Sequence, residues 1–396
     1  MIVEVENMKK VVLIWLDAFS DHYLSPDLCP FLWDLSRNCF FSRISPLFAY
    51  VGIKHCFELG VPINTHKIWN DHVFTGFHIG NNVQHALFRG LLRFVDKASF
   101  SDGLNKILRY ALFKVSKVEY GTPHLIPANL IDFFPVPKKS CESKDLYEVL
   151  REHGVRYLRK EPKLNRSESA IIRSIPKLLE AYDALFFKLN SLDRLGHEYG
   201  PLSDAVKQRV SFFDDMLKKL VGTLDKDAVL IVMSDHGMIP VLRSFDITGF
   251  LGNKGFEYGR HYISFVGATY VSFWFRNEKY RDAIVKELDK LEMGRFLTFD
   301  DKVRLGLDKI GKEYGEEIFV SEEHNVFFPE FYHVRKPPKG IHGYAFGKYD
   351  MPIFLMYGDV SISSKKSKID FIDVMPTVLR LLDLPISSSV EAKSLV

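Results

Sequence analysis

Six residues of this chain carry side chains suited to divalent metals, and each stands at the end of an apolar run or in a glycine loop. They are Asp17, Asp193, His197, Asp235, His236 and His342. Asp235 and His236 close the run Val229-Leu230-Ile231-Val232-Met233, and a carboxylate beside a neutral imidazole is half a site for zinc or a similar ion. Asp17 ends the run Val11 to Leu16. A charge buried there unpaired costs roughly several kcal/mol, so it needs a cation, N–H donors or water. Asp193 and His197 follow the run Ala184 to Leu189, and His342 lies in Gly340-Ile341-His342-Gly343. Taken singly, each has a plain reading as a solvated strand end or an Asp-His-Gly turn. Together, three Asp and three His divide into two sites of mixed oxygen and nitrogen ligands, which suits two Zn2+, or Mn2+ where the site is harder.

The elements that must position these residues read as an α/β chain. Short apolar runs bounded by polar residues predict strands buried on both faces of a mostly parallel sheet, near Val11–Leu16, Val155–Leu158, Ala184–Leu189, Val229–Met233 and Ile353–Tyr357. Ligands at the C-terminal ends of such strands converge on one rim. Ser25-Pro26-Asp27 should open a helix carrying Phe31, Leu32 and Leu35. A short helix is expected from Gly52 to Leu59 with Gly60 as its C-cap. Further helices are expected over 144–153, 168–182, 203–222, 279–291 and 370–382, and Tyr270–Phe275 alternates like a strand. Strand Ala184–Leu189 is expected to end in residues 190–201, which carry Asp193 and His197.

Residues 72–165 break this rhythm and are expected to form a helical insertion, leaving 1–71 and 166–396 as the core. Leu104, Ile107, Leu108, Ala111, Leu112 and Val115 make one helical stripe, and seven Lys or Arg stand against two Asp between Ala86 and Val118. Such a face can gather an anionic substrate or touch a membrane; the expected arrangement is a stripe packed on the body with solvated charges. His72, His78, His85 and His124 are expected to be ordinary surface or lid residues.

Composition bounds the rest. The chain has 396 residues, 46% hydrophobic and 26% charged, with 33 Phe, as expected of a globular protein with a Phe-rich core. A net charge of +3 gives no global argument for nucleic acid. Cys29, Cys39, Cys56 and Cys141 form no Cys-x-x-Cys pair, which predicts free thiols and a cytoplasmic, reducing setting. The first apolar run is too short for a membrane span.

The sequence resembles the alkaline phosphatase superfamily, and within it the type I phosphodiesterase/nucleotide pyrophosphatase branch. The likeness covers 11–70 and again 183 to the end, through Asp193-x-x-Gly-His197-x-x-Gly-Pro, Ser-Asp235-His236-Gly-Met, Gly-x-His342-Gly-Tyr and a closing Ile-Asp373-Val-Met-Pro-Thr helix. The resemblance implies a doubly wound sheet sandwiched by helices. It further implies one metal held by Asp193, His197 and His342 and a second by Asp17, Asp235 and His236. It implies hydrolysis of a small phosphorylated substrate, a phosphodiester or nucleotide-like pyrophosphate. Asn70 falls where a phosphate-contacting Asn is found.

The departure is the nucleophile. Members carry Thr or Ser about ten residues before the glycine that matches Gly60; that count lands on Tyr50, and no Ser or Thr occurs between Pro46 and Leu59. Three readings stay open. Tyr50 attacks, its phenol being easier to ionise than an aliphatic alcohol; a metal-activated water attacks beside it; or the protein binds metal and a phosphorylated ligand without turnover. A phosphomutase or sulfatase of the same superfamily is a further alternative.

Overall fold

The computed structural model describes residues 9–49, 51–70, 73–74, 90–92, 94–95, 104, 107–109, 111–112, 141–161, 165–331, 333, 336–347, 351–363 and 368–396. The chain divides into two compact units: Met1–His66 with Cys141–Leu242 and Pro338–Val396, and Lys67–Ser140 with Arg243–Pro337. The second unit thus joins 243–337 to most of the stretch expected as an insertion, while 141–165 stays with the first.

The first unit is built on a seven-stranded sheet. Its strands are β1 (Lys10–Leu16), β2 (Phe40–Ile44), β3 (Tyr157–Lys160), β4 (Ala184–Leu189), β5 (Ala228–Met233), β6 (Ile353–Tyr357) and β7 (Lys368–Ile369). They lie in the order β7-β2-β6-β5-β1-β4-β3. Only β6 runs antiparallel to its neighbours. β1 sits between β4 and β5, with Trp15 level with Lys188 on one side and Met233 on the other. This is the mostly parallel, doubly wound arrangement expected, and its three central strands end side by side.

Both faces of β1 are covered, which is why its residues are apolar without alternation. Val12, Ile14 and Leu16 pack with Leu185, Phe187, Leu230 and Val232 in a core closed by α1 (Pro30–Asn38) and by residues of helices Asn165–Leu178 and Asp204–Val221. On the other face, Trp15 meets Phe57 of α2 (Gly52–Leu59) edge to face at 5.5 Å. α2 ends as expected, at Gly60 in the left-handed conformation with φ 62° and its N–H on Cys56 O. α1 starts later than its Ser-Pro-Asp signal suggests, at Pro30. Its first amides are capped from far along the chain, where the buried Asp214 carboxylate accepts from Phe31 N at 3.0 Å and Leu32 N at 2.7 Å.

The second unit has its own four-stranded antiparallel sheet, in the order Gly294–Phe296, Glu317–Ser321, Tyr270–Phe275, Tyr262–Val266. Phe265, Phe273, Phe319 and Phe327 are fully buried in this unit. Only Tyr270–Phe275 was expected as a strand. The stripe near residue 104 also differs from expectation. Leu104 and Ile107 are 43% and 66% exposed, whereas Arg109 is buried. The inward face runs through Leu108, Arg109 and Leu112, one position round from the purely apolar stripe. Val115, His72, His78, His85 and His124 lie outside the described residues.

Candidate metal centre

All six metal-ligand candidates belong to the first unit. Asp17 stands one residue past β1 and is fixed by its N–H to Leu189 O at 2.9 Å. The chain then turns sharply at Ala18, whose φ is 65°, so that Ala18 N–H donates to Asp235 Oδ1 at 3.2 Å. Asp235 and His236 follow β5 through Ser234, whose hydroxyl donates to Phe19 O at 2.6 Å and accepts from Ile353 N at 2.8 Å. That buried serine ties three strand ends together.

Asp193 and His197 stand beyond the strand end at which they were expected. They lie on helix α3 (Ser191–Tyr199), which starts directly after β4. Spacing of four residues puts both side chains on one helical face. Within this helix Gly196 leaves room for the Met238 side chain, which a Cβ there would meet at 2.8 Å. His342 follows the short strand Gly340–Ile341, paired with Ile239–Pro240 just beyond His236. This pairing brings the two imidazoles into a stack with ring centroids 3.5 Å apart.

The result is two ligand groups that share a residue. Asp17, Asp235 and His236 offer atoms within 4.8 Å of one another, and so do Asp193, His236 and His342. His197 adjoins the second group, with Nε2 at 3.1 Å from Asp193 Oδ1. His342 Nε2 is 3.4 Å from that same oxygen, and His236 Nε2 is 3.3 Å from Asp17 Oδ1.

These contacts suit a cation. His197 Nδ1 lies 2.8 Å from Gly340 O and His236 Nδ1 2.9 Å from Gly237 O. A carbonyl can only accept, so each Nδ1 carries a proton and a neutral ring turns a bare Nε2 lone pair toward carboxylate. Asp17 Oδ1 and Asp193 Oδ1 are buried and accept no hydrogen bond among the described residues. Lone pairs facing buried oxygens need a proton or a metal between them.

The charge state of the metal-free centre follows. Burial lowers the proton affinity of His236, but the Asp235 and Asp17 carboxylates outweigh it and push the pKa up to about 10. Burial, and then the Asp235 charge, push Asp17 up to about 6. Burial would raise Asp193 too, yet the His197 and His342 imidazoles hold it well below the usual carboxylate range. His342 is lowered to about 3, by burial first and by His236 second.

One member of the site has no counterpart in the sequence reading. Lys188 Nζ lies 3.0 Å from Asp17 Oδ2 and 3.0 Å from Asp235 Oδ2. The signal was present, since a lysine one residue from the end of the apolar run Ala-Leu-Phe-Phe-Lys-Leu requires a partner. Of the two residues expected to act on substrate, Asn70 is buried and belongs to the second unit. Tyr50 lies outside the described residues; its neighbour Ala49 donates its N–H to Gly343 O at 3.3 Å, next to His342.

Comparison with known proteins gives the same superfamily. The model of the type I phosphodiesterase / nucleotide pyrophosphatase family matches residues 68–344. Human ectonucleotide pyrophosphatase / phosphodiesterase 5 shares the fold with a TM-score of 0.65 and 17% identity, over 96% of each chain. The murine protein, in an inactive form in complex with AMP, has a TM-score of 0.65 and 16% identity over 95% of this chain and 96% of its own. Two curated relatives match short stretches. GPI ethanolamine phosphate transferase 3 of Eremothecium gossypii is 32% identical over 63 residues, 16% of this chain and 6% of that protein. GPI ethanolamine phosphate transferase 2 of Yarrowia lipolytica is 30% identical over 106 residues, 27% and 10% respectively.

Proposed function

Because the chain belongs to the type I phosphodiesterase / nucleotide pyrophosphatase family, we propose that it hydrolyses a phosphodiester or nucleotide-like pyrophosphate with two divalent ions, Zn2+ or Mn2+. The observation that carries this reading is the pair of ligand groups sharing His236, in which the buried Asp17 and Asp193 Oδ1 atoms face only imidazole Nε2 atoms among the described residues. Asp17, Asp235 and His236 would hold one ion; Asp193, His342 and His197 would hold the other. When bound, the two ions supply Lewis-acid stabilisation of charge in in-line displacement at phosphorus.

The chain's own residues do the positioning. Gly237 O and Gly340 O fix the His236 and His197 rings with Nε2 toward the site. Ser234 and the Ala18 amide hold Asp235 against the end of β1. By their places in the sequence relative to Gly60, Tyr50 is the candidate nucleophile and Asn70 the candidate phosphate contact. The AMP complex of the murine relative favours nucleotide esters as the first substrates to try. The four cysteines, all free, support a reducing compartment such as the cytoplasm. Among the described residues no helix is long and apolar enough to cross a membrane.

A second reading keeps the metals without turnover, and it is favoured by one observation, the lack of Ser or Thr between Pro46 and Leu59. The deciding experiment assays metal-loaded protein on bis-p-nitrophenyl phosphate, p-nitrophenyl esters of nucleotides and dinucleoside pyrophosphates. Metal-dependent turnover abolished by Asp235→Ala supports the hydrolase. Full metal occupancy with no turnover across that panel supports the binding protein.

A further inference from the structure

We propose that Lys188 is a positioning residue of the metal centre. Its ammonium group holds one oxygen each of Asp17 and Asp235, so that both carboxylates turn their other oxygen to the ion bound with His236. The inference rests on the two-metal reading above. The division of labour between the oxygens is visible in the geometry. Nζ takes the two Oδ2 atoms, each at 3.0 Å. His236 Nε2 approaches the two Oδ1 atoms, at 3.3 Å for Asp17 and 3.7 Å for Asp235.

The lysine is itself held. It leaves β4 level with Trp15 of β1, and its Nζ sits 4.8 Å from the Trp15 ring centroid, within cation–π range. Phe57 packs edge-on against the same indole. The ammonium therefore has a ring on one side and two carboxylates on the other, which fixes it as a long flexible side chain is seldom fixed.

Charge gives the reason for a cation here. Asp17 and Asp235 bring two buried negative charges to one ion, whereas Asp193 alone brings one to the other. Without Lys188 the two adjacent carboxylates repel in the metal-free protein; the Ala18 and His236 amides still hold Asp235 through its Oδ1, so Asp17 is the one that turns away. With it, each ligand group carries the same charge, and the first is ordered before an ion arrives. Partners that orient a ligating carboxylate are typically worth about 10–100-fold in metal affinity.

The test uses the full chain stripped with chelator, then titrated with Zn2+ and with Co2+ against a competing chelator. The Co2+ d–d absorption follows each equivalent separately. In Lys188→Met, one equivalent should bind as in the parent, and the other about 10–100-fold more weakly with an altered absorption band. Lys188→Arg should recover most of the loss. Lys188→Gln, neutral and polar, gives the same reading should the methionine variant not fold. Parent-like binding of both ions by the neutral variants overturns the proposal. So does tighter binding of one ion, which would make the ammonium a competitor for the ion's place, and so does equal weakening of both, which would mark a general loss of structure. A parent protein that takes up fewer than two ions refutes the two-metal reading itself, and the inference with it.

Discussion

Metal binding by this chain should be coupled to proton release, with a magnitude set by His236. In the metal-free centre the Asp235 and Asp17 carboxylates outweigh the desolvation of its ring and raise its pKa to about 10. Between about pH 8.5 and about pH 6.5 the ring therefore holds a proton that an incoming ion must displace, since only the neutral imidazole ligates. One displaced proton gives about a tenfold loss of affinity per pH unit, so affinity at the Asp17 group should fall about 100-fold over that window, or about 3 kcal/mol. Below about pH 6 the slope should steepen, because Asp17, raised to about 6, also takes up a proton. Titration calorimetry in two buffers of different ionisation enthalpy measures the protons released directly. About one per ion at this group is the expected result. An affinity that stays flat across the window, with no buffer dependence of the heat, refutes the assignment of His236 as a ligand.

Three further outcomes follow from named contacts. Asp214→Ala leaves the Phe31 and Leu32 amides without their acceptor, and should cost about 2 kcal/mol in urea unfolding of metal-free protein; an unchanged midpoint removes the long-range cap from the account. Gly60→Ala combines a left-handed φ of 62° with a Cβ placed 2.9 Å from Val390 Cγ1, so a loss of about 3 kcal/mol is expected in the same measurement, against about 1 kcal/mol if the tail can move aside. Tyr50→Phe should abolish turnover if the phenol attacks phosphorus and leave most of it if water attacks; kcat on bis-p-nitrophenyl phosphate decides between them.

Much of the frame was legible because burial on both faces leaves a strong mark. β1, β4 and β5 are unbroken apolar runs closed by a polar residue, and the αL position that ends α2 calls for a glycine. Asp17 and Asp235 were legible as candidates for the same reason, since a charge at the end of a buried strand needs a partner. What escaped depends on contacts from elsewhere in the chain. α1 begins at Pro30 because Asp214, far away in sequence, caps it. Residues 191–199 carry a central glycine that weakens any helical reading, and the packing of Met238 against Gly196 explains why glycine stands there. The second sheet contains strands such as Gly294–Phe296, too short to show any period. Nothing near Lys188 in the sequence names its partners, because Asp17 and Asp235 come from two other strands.

One set of six residues should bind a pair of metal ions. The most direct test is a crystal structure of the Zn2+-loaded protein with anomalous differences collected on both sides of the zinc edge. Two peaks about 4 Å apart are expected. One should be ligated at about 2.0–2.2 Å by Asp17, Asp235 and His236, the other by Asp193, His197 and His342. A single peak, or two peaks with His342 outside either coordination sphere, rules out the six-residue dinuclear centre.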